Sequence, residues 1–141
     1  MMKLIFPTRT QVPKTSPDRP LDASSPHRVA LVGFGTVGRA VAKILCGRGD
    51  RLLRLTHICN RNVERKKQPW VPGDVIWTED FRTILNSDAD IVIELIGGLT
   101  PAEELVRSAL SAGKSVVTAN KQLVARHGPD LLEFEIGRAH V

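Results

Sequence analysis

The clearest chemical signal in this 141-residue chain is a run of closely spaced glycines, Gly33-Phe34-Gly35-Thr36-Val37-Gly38. The G-x-G-x-x-G spacing follows an apolar run, residues 29–32, that predicts a buried strand, and it opens a segment with helical periodicity. In this motif the first glycine permits a tight turn, the second lets the backbone approach a diphosphate, and the third lets helix and strand pack closely. The helix N-terminus would then direct amide groups at the phosphates. The motif predicts a dinucleotide-binding turn; the alternative is a glycine-rich turn without a ligand.

A second signal lies after the second predicted strand, residues 52–60, where the chain continues through Arg61 and Asn62. Sites specific for NAD place Asp or Glu here, about 20 residues past the glycines, to bind the ribose 2′-hydroxyl. A carboxylate would repel a 2′-phosphate, whereas Arg61 could pair with it. We therefore expect NADP(H) as the cofactor, with NAD(H) as the alternative. Arg61 could also be a solvated loop residue or stack on adenine.

Predicted strands and helices alternate from residue 28 onwards. The predicted strands are residues 29–32, 52–60, 75–77, 90–96 and 115–118. The predicted helices are residues 37–45, a helix capped by Thr78, a helix to residue 112 behind a capping box at residues 100–103, and a stretch from Asn120 that is interrupted at Gly128-Pro129. This alternation predicts an α/β fold, a Rossmann-like doubly wound parallel sheet with helices on both faces.

The proline-rich first part of the chain contrasts with this regular region. Residues 1–27 hold five prolines and show no strand or helix period, so we expect a disordered leader, with a divergent organelle transit segment as the alternative. Residues 28–135 are expected to form one NAD(P)-binding domain.

Composition excludes several functional classes. The net charge is +5, but basic residues are interleaved with acids and aromatics make up only 4%, so we expect no nucleic-acid partner. No apolar run approaches the roughly 18 residues of a membrane helix, so we expect no membrane partner. Cys46 and Cys59 lack CxxC or metal-ligand spacing, which predicts small core residues, no metal site and a reducing, cytoplasmic location.

Two further motifs carry a family resemblance. Residues 89–98, ADIVIELIGG, and residues 114–121, KSVVTANK, resemble the paired D-I-V-V-E-L-I-G-G and K-x-V-V-T-A-N-K motifs of the homoserine dehydrogenase family. The resemblance covers about residues 28–135 and extends to the Thr36-Val37 pair of the glycine turn. It implies NAD(P)-dependent interconversion of L-homoserine and L-aspartate 4-semialdehyde, a small-molecule reaction of threonine and methionine biosynthesis, in a full-length enzyme that is a homo-oligomer.

The resemblance also implies roles for individual residues. Phe34, Thr36 and Val37 would touch the pyrophosphate and ribose, and Arg61 would meet the adenosine ribose or its phosphate. The remaining implied contacts, on the ribose and nicotinamide side, are Ile96, Gly97 and Lys121.

Position within the predicted sheet supports this grouping. Gly33, Arg61, Gly97 and the Asn120-Lys121 pair each follow a predicted strand, so they should meet at one edge, where parallel sheets bind ligands. Lys121 is expected to position the ligand electrostatically, the alternative being a solvated lysine at a helix start. Glu94 is expected to be held by hydrogen bonds to backbone or to Asn120, and not to act as a base.

Other expectations concern what this chain contains. In the family, a downstream substrate domain supplies the acidic and lysine residues that bind homoserine and move the proton, and a monovalent-cation site, so we expect no catalytic residue within this chain. The segment 136–141 departs from the family and equals the translation of a sequencing-adapter string, ATC GGA AGA GCA CAC GTC. We expect it to be a non-native tail, with a natural short tail as the alternative. Competing functions are another Rossmann oxidoreductase, such as a semialdehyde dehydrogenase or a dihydrodipicolinate-type reductase, and a non-catalytic nucleotide-binding sensor.

Overall fold

The computed structural model describes residues 4–6, 25–48 and 51–139, with side chains over 25–48 and 51–135. The strands are β1 (Leu4–Phe6), β2 (His27–Val32), β3 (Leu53–Cys59), β4 (Ile76–Thr78), β5 (Ile91–Glu94) and β6 (Ser115–Thr118). The helices are α1 (Thr36–Gly47), α2 (Val63–Lys66), α3 (Phe81–Leu85), α4 (Ala102–Ser111) and α5 (Lys121–Ala139). Within these residues, no helix is both long and apolar enough to cross a membrane.

The sheet reverses its winding direction beside β2. The strand order is β1-β6-β5-β2-β3-β4, and the five strands from β2 to β6 pair in parallel. The chain winds from β2 through β3 to β4 on one side, and then crosses back to β5 and β6 on the other. The predicted Rossmann-like doubly wound sheet is confirmed. Such a reversal opens a crevice between β2 and β5 at the carboxyl ends of the strands.

Successive residues of β2 point to opposite faces of the sheet, and each face has its own core. Val29 and Leu31 pack in a cluster with α1, whereas Ala30 and Val32 pack in a cluster with α3, α4 and α5. All four are at most 4% exposed, which explains why this strand is a continuous apolar run instead of an alternating one. The predicted placement of helices on both faces is therefore confirmed, and β2 is an interior strand that is packed on both faces.

The edge strand β1 lies within the segment predicted to be a disordered leader. Leu4–Phe6 pairs antiparallel with β6, from Leu4 opposite Thr118 to Phe6 opposite Val116. The leader prediction is wrong at these three residues, and His27 already belongs to β2. Three residues carry no readable period, but the open edge of β6 offers unpaired backbone groups that a short segment can satisfy. Residues 7–24 of the predicted leader lie outside the described residues.

Two predicted helix caps are replaced by other contacts. Thr78 is the last residue of β4, and the N-cap of α3 is Asp80, whose carboxylate accepts a hydrogen bond from the Arg82 amide at 2.9 Å. The capping box before α4 does not form. The Glu103 amide bonds to the Leu99 carbonyl, and its carboxylate contacts Arg107 and His127 on neighbouring turns and on α5. Partners on other turns and on another helix thus compete for the side chain that local spacing assigned to the cap.

The helix α5 is continuous where an interruption was predicted. Pro129 lies inside it, where a proline removes one backbone hydrogen bond and crowds the carbonyl four residues earlier. Leu123 and Leu131, on either side, are both 0% exposed, so burial against the sheet keeps the helix together. The backbone of α5 extends through residues 136–139 of the predicted non-native tail, and residues 140–141 lie outside the described part. The origin of this tail stays a prediction.

Candidate functional site

The glycine turn lies between β2 and α1, as predicted. Gly33 has φ 107°, and its amide donates to the Cys59 carbonyl at 2.9 Å. A Cβ on Gly33 would lie 3.0 Å from the carbonyl carbon of Leu95, in the loop after β5. A Cβ on Gly38 would lie 2.2 Å from the Gly33 carbonyl oxygen. Backbone conformation and close packing of helix on strand therefore require glycine at both positions.

Gly35 differs from these two, because a Cβ on it would meet nothing within 4 Å. It is the N-cap of α1, with no side-chain cap and no acidic residue in the first turn of the helix. The first amides of a helix have no intrahelical acceptor, and the helix dipole adds positive potential there. Gly35, Thr36 and Val37 are all exposed. The open space in front of Gly35 and the uncapped helix end fit the diphosphate of a dinucleotide.

Phe34 faces the core although it stands inside the glycine motif. Its ring is 0% exposed and packs edge-on against Trp77 at 5.0 Å between centroids, with Trp70 at 6.3 Å. Its amide donates to Asn60 Oδ1 at 2.9 Å. The contact of Phe34 with a pyrophosphate that the resemblance implied is therefore not available to its side chain. The ring anchors the turn, and only main-chain atoms of Phe34 remain for a ligand.

The loop after β3 braces the turn and exposes positive charge. The side-chain oxygen of Asn60 accepts from the Phe34 backbone amide, and its side-chain nitrogen Nδ2 donates to the Arg61 carbonyl at 2.6 Å. The sequence pattern did not predict this bracing role of Asn60, for which its polarity at a strand end was the one signal. Arg61 is exposed, and the first carboxylate after β3, Glu64, forms an ion pair with Lys67 at 2.9 Å.

The loop after β5 folds back on a buried carboxylate. Glu94 is 1% exposed, and its Oε1 accepts from the amides of Ile96 at 2.7 Å and Gly97 at 3.2 Å. Its Oε2 accepts from the Thr118 hydroxyl at 2.6 Å. Gly97 and Gly98 have φ 76° and 74°, the left-handed region that favours glycine. The predicted hydrogen bonding of Glu94 to backbone is confirmed.

Asn120 connects this loop to the start of α5. The backbone amide of Asn120 donates to Thr118 Oγ1 at 3.0 Å. Its side-chain oxygen Oδ1 accepts from the Leu123 backbone amide at 3.1 Å, which caps the helix. Its side-chain nitrogen donates to the Gly98 carbonyl. Lys121 follows as the first residue of α5 and is exposed. Lys121 lies at the edge predicted for it, whereas the role of Thr118 was not predicted, because its position within a buried strand gave no sign of it.

The predicted site residues thus gather at the carboxyl edge of the sheet, in two groups. Gly33 meets Leu95 and Ile96 across the crevice, whereas Arg61 and Lys121 follow β3 and β6. With strands spaced by about 4.8 Å, three spacings separate β3 from β6, roughly 14 Å. The two cations would therefore contact opposite ends of an extended ligand. Val37 and Ile96 are 41% and 42% exposed and add apolar surface between them.

Nucleophilic and metal chemistry find no support in the described residues. Burial, with smaller contributions from Asp80 and Glu79, raises the pKa of Cys59 to about 11, and burial also raises the pKa of Cys46. Neither thiol is therefore activated. Over residues 25–48 and 51–139, no group of three or more His, Cys, Asp or Glu side chains could hold a metal ion.

Comparisons with known proteins agree on one family. The sequence model described as homoserine dehydrogenase, NAD binding domain, matches residues 33–136. The chain is 38% identical over 112 residues to a homoserine dehydrogenase of Bacillus subtilis, and 42% identical over 113 residues to one of Corynebacterium glutamicum. These matches cover 74% of this chain but only 26% and 25% of those relatives.

Solved structures give the same result. A homoserine dehydrogenase from Thiobacillus denitrificans aligns over 80% of this chain and 28% of its own, with a TM-score of 0.65 and 36% identity. The Staphylococcus aureus enzyme at pH 7.0 aligns over 78% of this chain and 30% of its own, with a TM-score of 0.68 and 35% identity. In every case this chain spans less than a third of the similar protein.

Proposed function

This chain belongs to the homoserine dehydrogenase family, and we propose that it is the part of such an enzyme that holds NADP(H) across the carboxyl edge of its sheet. The observation that carries the proposal is the open space in front of Gly35, at a helix N-terminus that no side chain caps. Phosphate oxygens there would accept hydrogen bonds from the first amides of α1. Thr36 and Val37, both exposed, would line the adjoining ribose.

The choice of NADP(H) over NAD(H) rests on charge at the end of β3. No carboxylate is present between Cys59 and Val63, and the nearby Glu64 is engaged by Lys67. Arg61 is exposed beside the bracing Asn60, where a 2′-phosphate on the adenosine ribose would lie. A guanidinium can bind such a phosphate through two parallel, charge-assisted hydrogen bonds. A neutral 2′-hydroxyl would form a weaker interaction with it.

The reaction of the whole enzyme would be the interconversion of L-homoserine and L-aspartate 4-semialdehyde, in threonine and methionine biosynthesis. The bound cofactor would supply or accept the hydride. The residues of this chain would orient it: Ile96 and Gly97 at the nicotinamide side, and Lys121 as a positive charge towards the substrate. We assign no general acid or base to this chain, so it should bind the cofactor without turnover. Free Cys46 and Cys59 thiols support a reducing, cytoplasmic location.

A pair of glycine variants tests the proposal. Purified chain is titrated with NADPH and with NADH by isothermal calorimetry, and NADPH should bind more tightly. The Gly35→Ala variant should weaken NADPH binding by about tenfold or more, because the methyl group displaces a phosphate from its amide donors. Its unfolding temperature should not change, since the new Cβ meets nothing within 4 Å.

Gly73→Ala is the matched control, because a Cβ there is equally free of contacts and lies on the connection before β4, outside the site. It should leave both the unfolding temperature and the dissociation constant unchanged. Wild-type chain that binds neither dinucleotide, or Gly35→Ala chain that binds NADPH as tightly as wild type, would contradict the proposed function.

A further inference from the structure

A single buried carboxylate, at the end of β5, binds the backbone of the loop of residues 95–98. Glu94 Oε1 accepts from two consecutive amides of the loop, those of Ile96 and Gly97, and the carboxylate is 1% exposed. Burying a carboxylate is costly unless its oxygens receive hydrogen bonds. Glu94 Oε1 accepts both loop amides at once and orients them together, while Oε2 accepts from a third donor, the Thr118 hydroxyl.

The direction of these amides determines the direction of a carbonyl. In a planar trans peptide, the N–H and the preceding C=O point in opposite directions. Because the Gly97 amide points at buried Glu94, the Ile96 carbonyl points away from it, towards the exposed side of the loop. Ile96, Gly97 and Gly98 are all exposed, so this acceptor lies on an exposed part of the loop at the carboxyl end of β5.

A second layer fixes Glu94 itself. The Thr118 hydroxyl donates to Glu94 Oε2 at 2.6 Å and accepts from the Asn120 amide at 3.0 Å. The side chain of Asn120 in turn donates to the Gly98 carbonyl, at the far end of the loop. The loop is therefore held at both ends by residues of β5 and of the segment after β6, and Lys121 follows directly.

We propose that Glu94, Thr118 and Asn120 are positioning residues that aim the Ile96 carbonyl at the carboxamide of the nicotinamide ring. The inference rests on the proposed function: with the diphosphate at Gly35 and the adenosine at Arg61, the other end of the ligand lies on the β5 and β6 side. A carboxamide carries two N–H donors, and an outward backbone carbonyl is a matching acceptor. The network would thereby select and orient the ring that carries the hydride.

A ligand that lacks those donors tests the inference. The 3-acetylpyridine analogue of NADP has a methyl ketone in place of the carboxamide, and 2′-phospho-ADP-ribose lacks the ring entirely. Wild-type chain should bind NADP about fivefold to tenfold more tightly than the acetylpyridine analogue, the effect of one hydrogen bond. In Thr118→Val, which keeps the volume but removes the hydroxyl, this ratio should fall to about one.

Thr118→Ser retains the hydroxyl and should restore the wild-type ratio. All three proteins should bind 2′-phospho-ADP-ribose equally, a result that general destabilisation would not produce. If Thr118→Val does not fold, Asn120→Ala replaces it, and the ratio should fall because the Gly98 carbonyl at the far end of the loop loses its side-chain donor.

The outcomes separate the two proposals. Wild-type chain that binds 2′-phospho-ADP-ribose and NADP but does not distinguish NADP from the acetylpyridine analogue overturns the positioning role and leaves the proposed function standing. A folded Thr118→Val or Asn120→Ala chain with the wild-type ratio does the same. Wild-type chain that binds none of the three ligands overturns the proposed function, and the inference with it.

Discussion

Lys114 and Lys121 lie on either side of β6, the first at the N-terminal ends of the parallel strands and the second at their carboxyl ends, and their surroundings differ. Lys114, at the N-terminal edge, is 6% exposed, and its Nζ donates to the carbonyls of Ser87 and Ala89 at 2.9 and 2.8 Å. Burial lowers the pKa of Lys114, against the opposing effect of nearby carboxylates. Lys121, at the carboxyl edge, is exposed at the start of α5. One cation is bound inside the protein, and the other is presented to solvent.

The rest of each edge follows the same division. At the N-terminal edge Arg28 forms an ion pair with Asp88 at 2.8 Å, and its amide donates to the Asp90 carboxylate at 2.8 Å. At the carboxyl edge α1 begins at Gly35 with no side-chain cap, and Arg61 is exposed. Charged groups at the first edge bind one another and stabilise the loops. The second edge also has bonded polar groups, but it presents the first amides of α1, Arg61 and Lys121 to solvent. Within one small sheet, charge is thus bound inside the protein at one edge and presented to solvent at the other.

The largest expected effect separates packing from binding within the carboxyl edge. Gly38→Ala should destabilise the chain by about 3 kcal/mol or more, because its Cβ would lie 2.2 Å from the Gly33 carbonyl oxygen, which is backbone and cannot move aside. Thermal and denaturant unfolding measure the change. Gly47→Ala, in the same helix and without a contact within 4 Å, is the control and should not be destabilised. Equal stability of the two variants would contradict the close packing described for the turn.

A pair of lysine variants tests the contrast between the edges directly. Lys114→Met should lower the free energy of unfolding by about 2 kcal/mol, because the carbonyls of Ser87 and Ala89 lose a charged donor. Methionine keeps an unbranched side chain of similar length. Its affinity for NADPH should not change. Lys121→Met should leave stability within about 0.5 kcal/mol of wild type and weaken NADPH binding a few-fold. Identical effects of the two substitutions on both measurements would remove the distinction between the edges.

Substitution of Arg61 tests whether the positive charge at the carboxyl edge selects NADPH over NADH. Arg61→Ala should weaken NADPH binding by about tenfold, through loss of a charge-assisted hydrogen bond, and leave NADH binding unchanged. Arg51→Ala removes an exposed arginine that precedes β3 at the opposite edge, and it should affect neither ligand. A parallel loss of NADPH and NADH affinity in Arg61→Ala would show that the side chain does not read the 2′-phosphate.

The smallest effect is a pH dependence that arises from His57 in β3, which the charges of Asp88 and Lys114 influence. Burial lowers the pKa of His57 from 6.5, Asp88 opposes this, and Lys114 adds to it. The unfolded chain therefore binds more protons than the folded one, so this contribution is complete above pH 6.5 and is lost as the pH falls through the folded pKa. Denaturant unfolding at pH 7.5 and 5.5 should show a shallower loss in His57→Gln than in wild type. An unchanged slope would assign the pH dependence to other groups.

The glycine turn and the fold class could be predicted because their signals are local. The spacing of Gly33, Gly35 and Gly38 is required by one strand-turn-helix unit, and the apolar run before it needs no distant partner to be recognised. Alternation of strands and helices then restricts the topology, because crossovers between parallel strands are right-handed. The missing carboxylate after β3 was equally visible in the sequence.

Helix caps and edges were less predictable because side chains have competing partners. Glu103 had the spacing of a capping residue, yet Arg107 and His127 bind its carboxylate. Pro129 should interrupt a helix on its own, but burial of its neighbours maintains α5. In both cases a contact with another helix or with the core competes with the local preference and overrides it.

By itself, the sequence determined a dinucleotide-type turn, a doubly wound sheet and an arginine where an acid is common. Only the tertiary structure decided that Phe34 faces the core, that β1 pairs with β6, and that Glu94 and Thr118 contact each other on the neighbouring strands β5 and β6. Asn60 and Phe34 are 26 positions apart, and Glu94 and Thr118 are 24 apart. Such pairs form because strand order brings distant residues together, and no local spacing encodes which strand lies beside which.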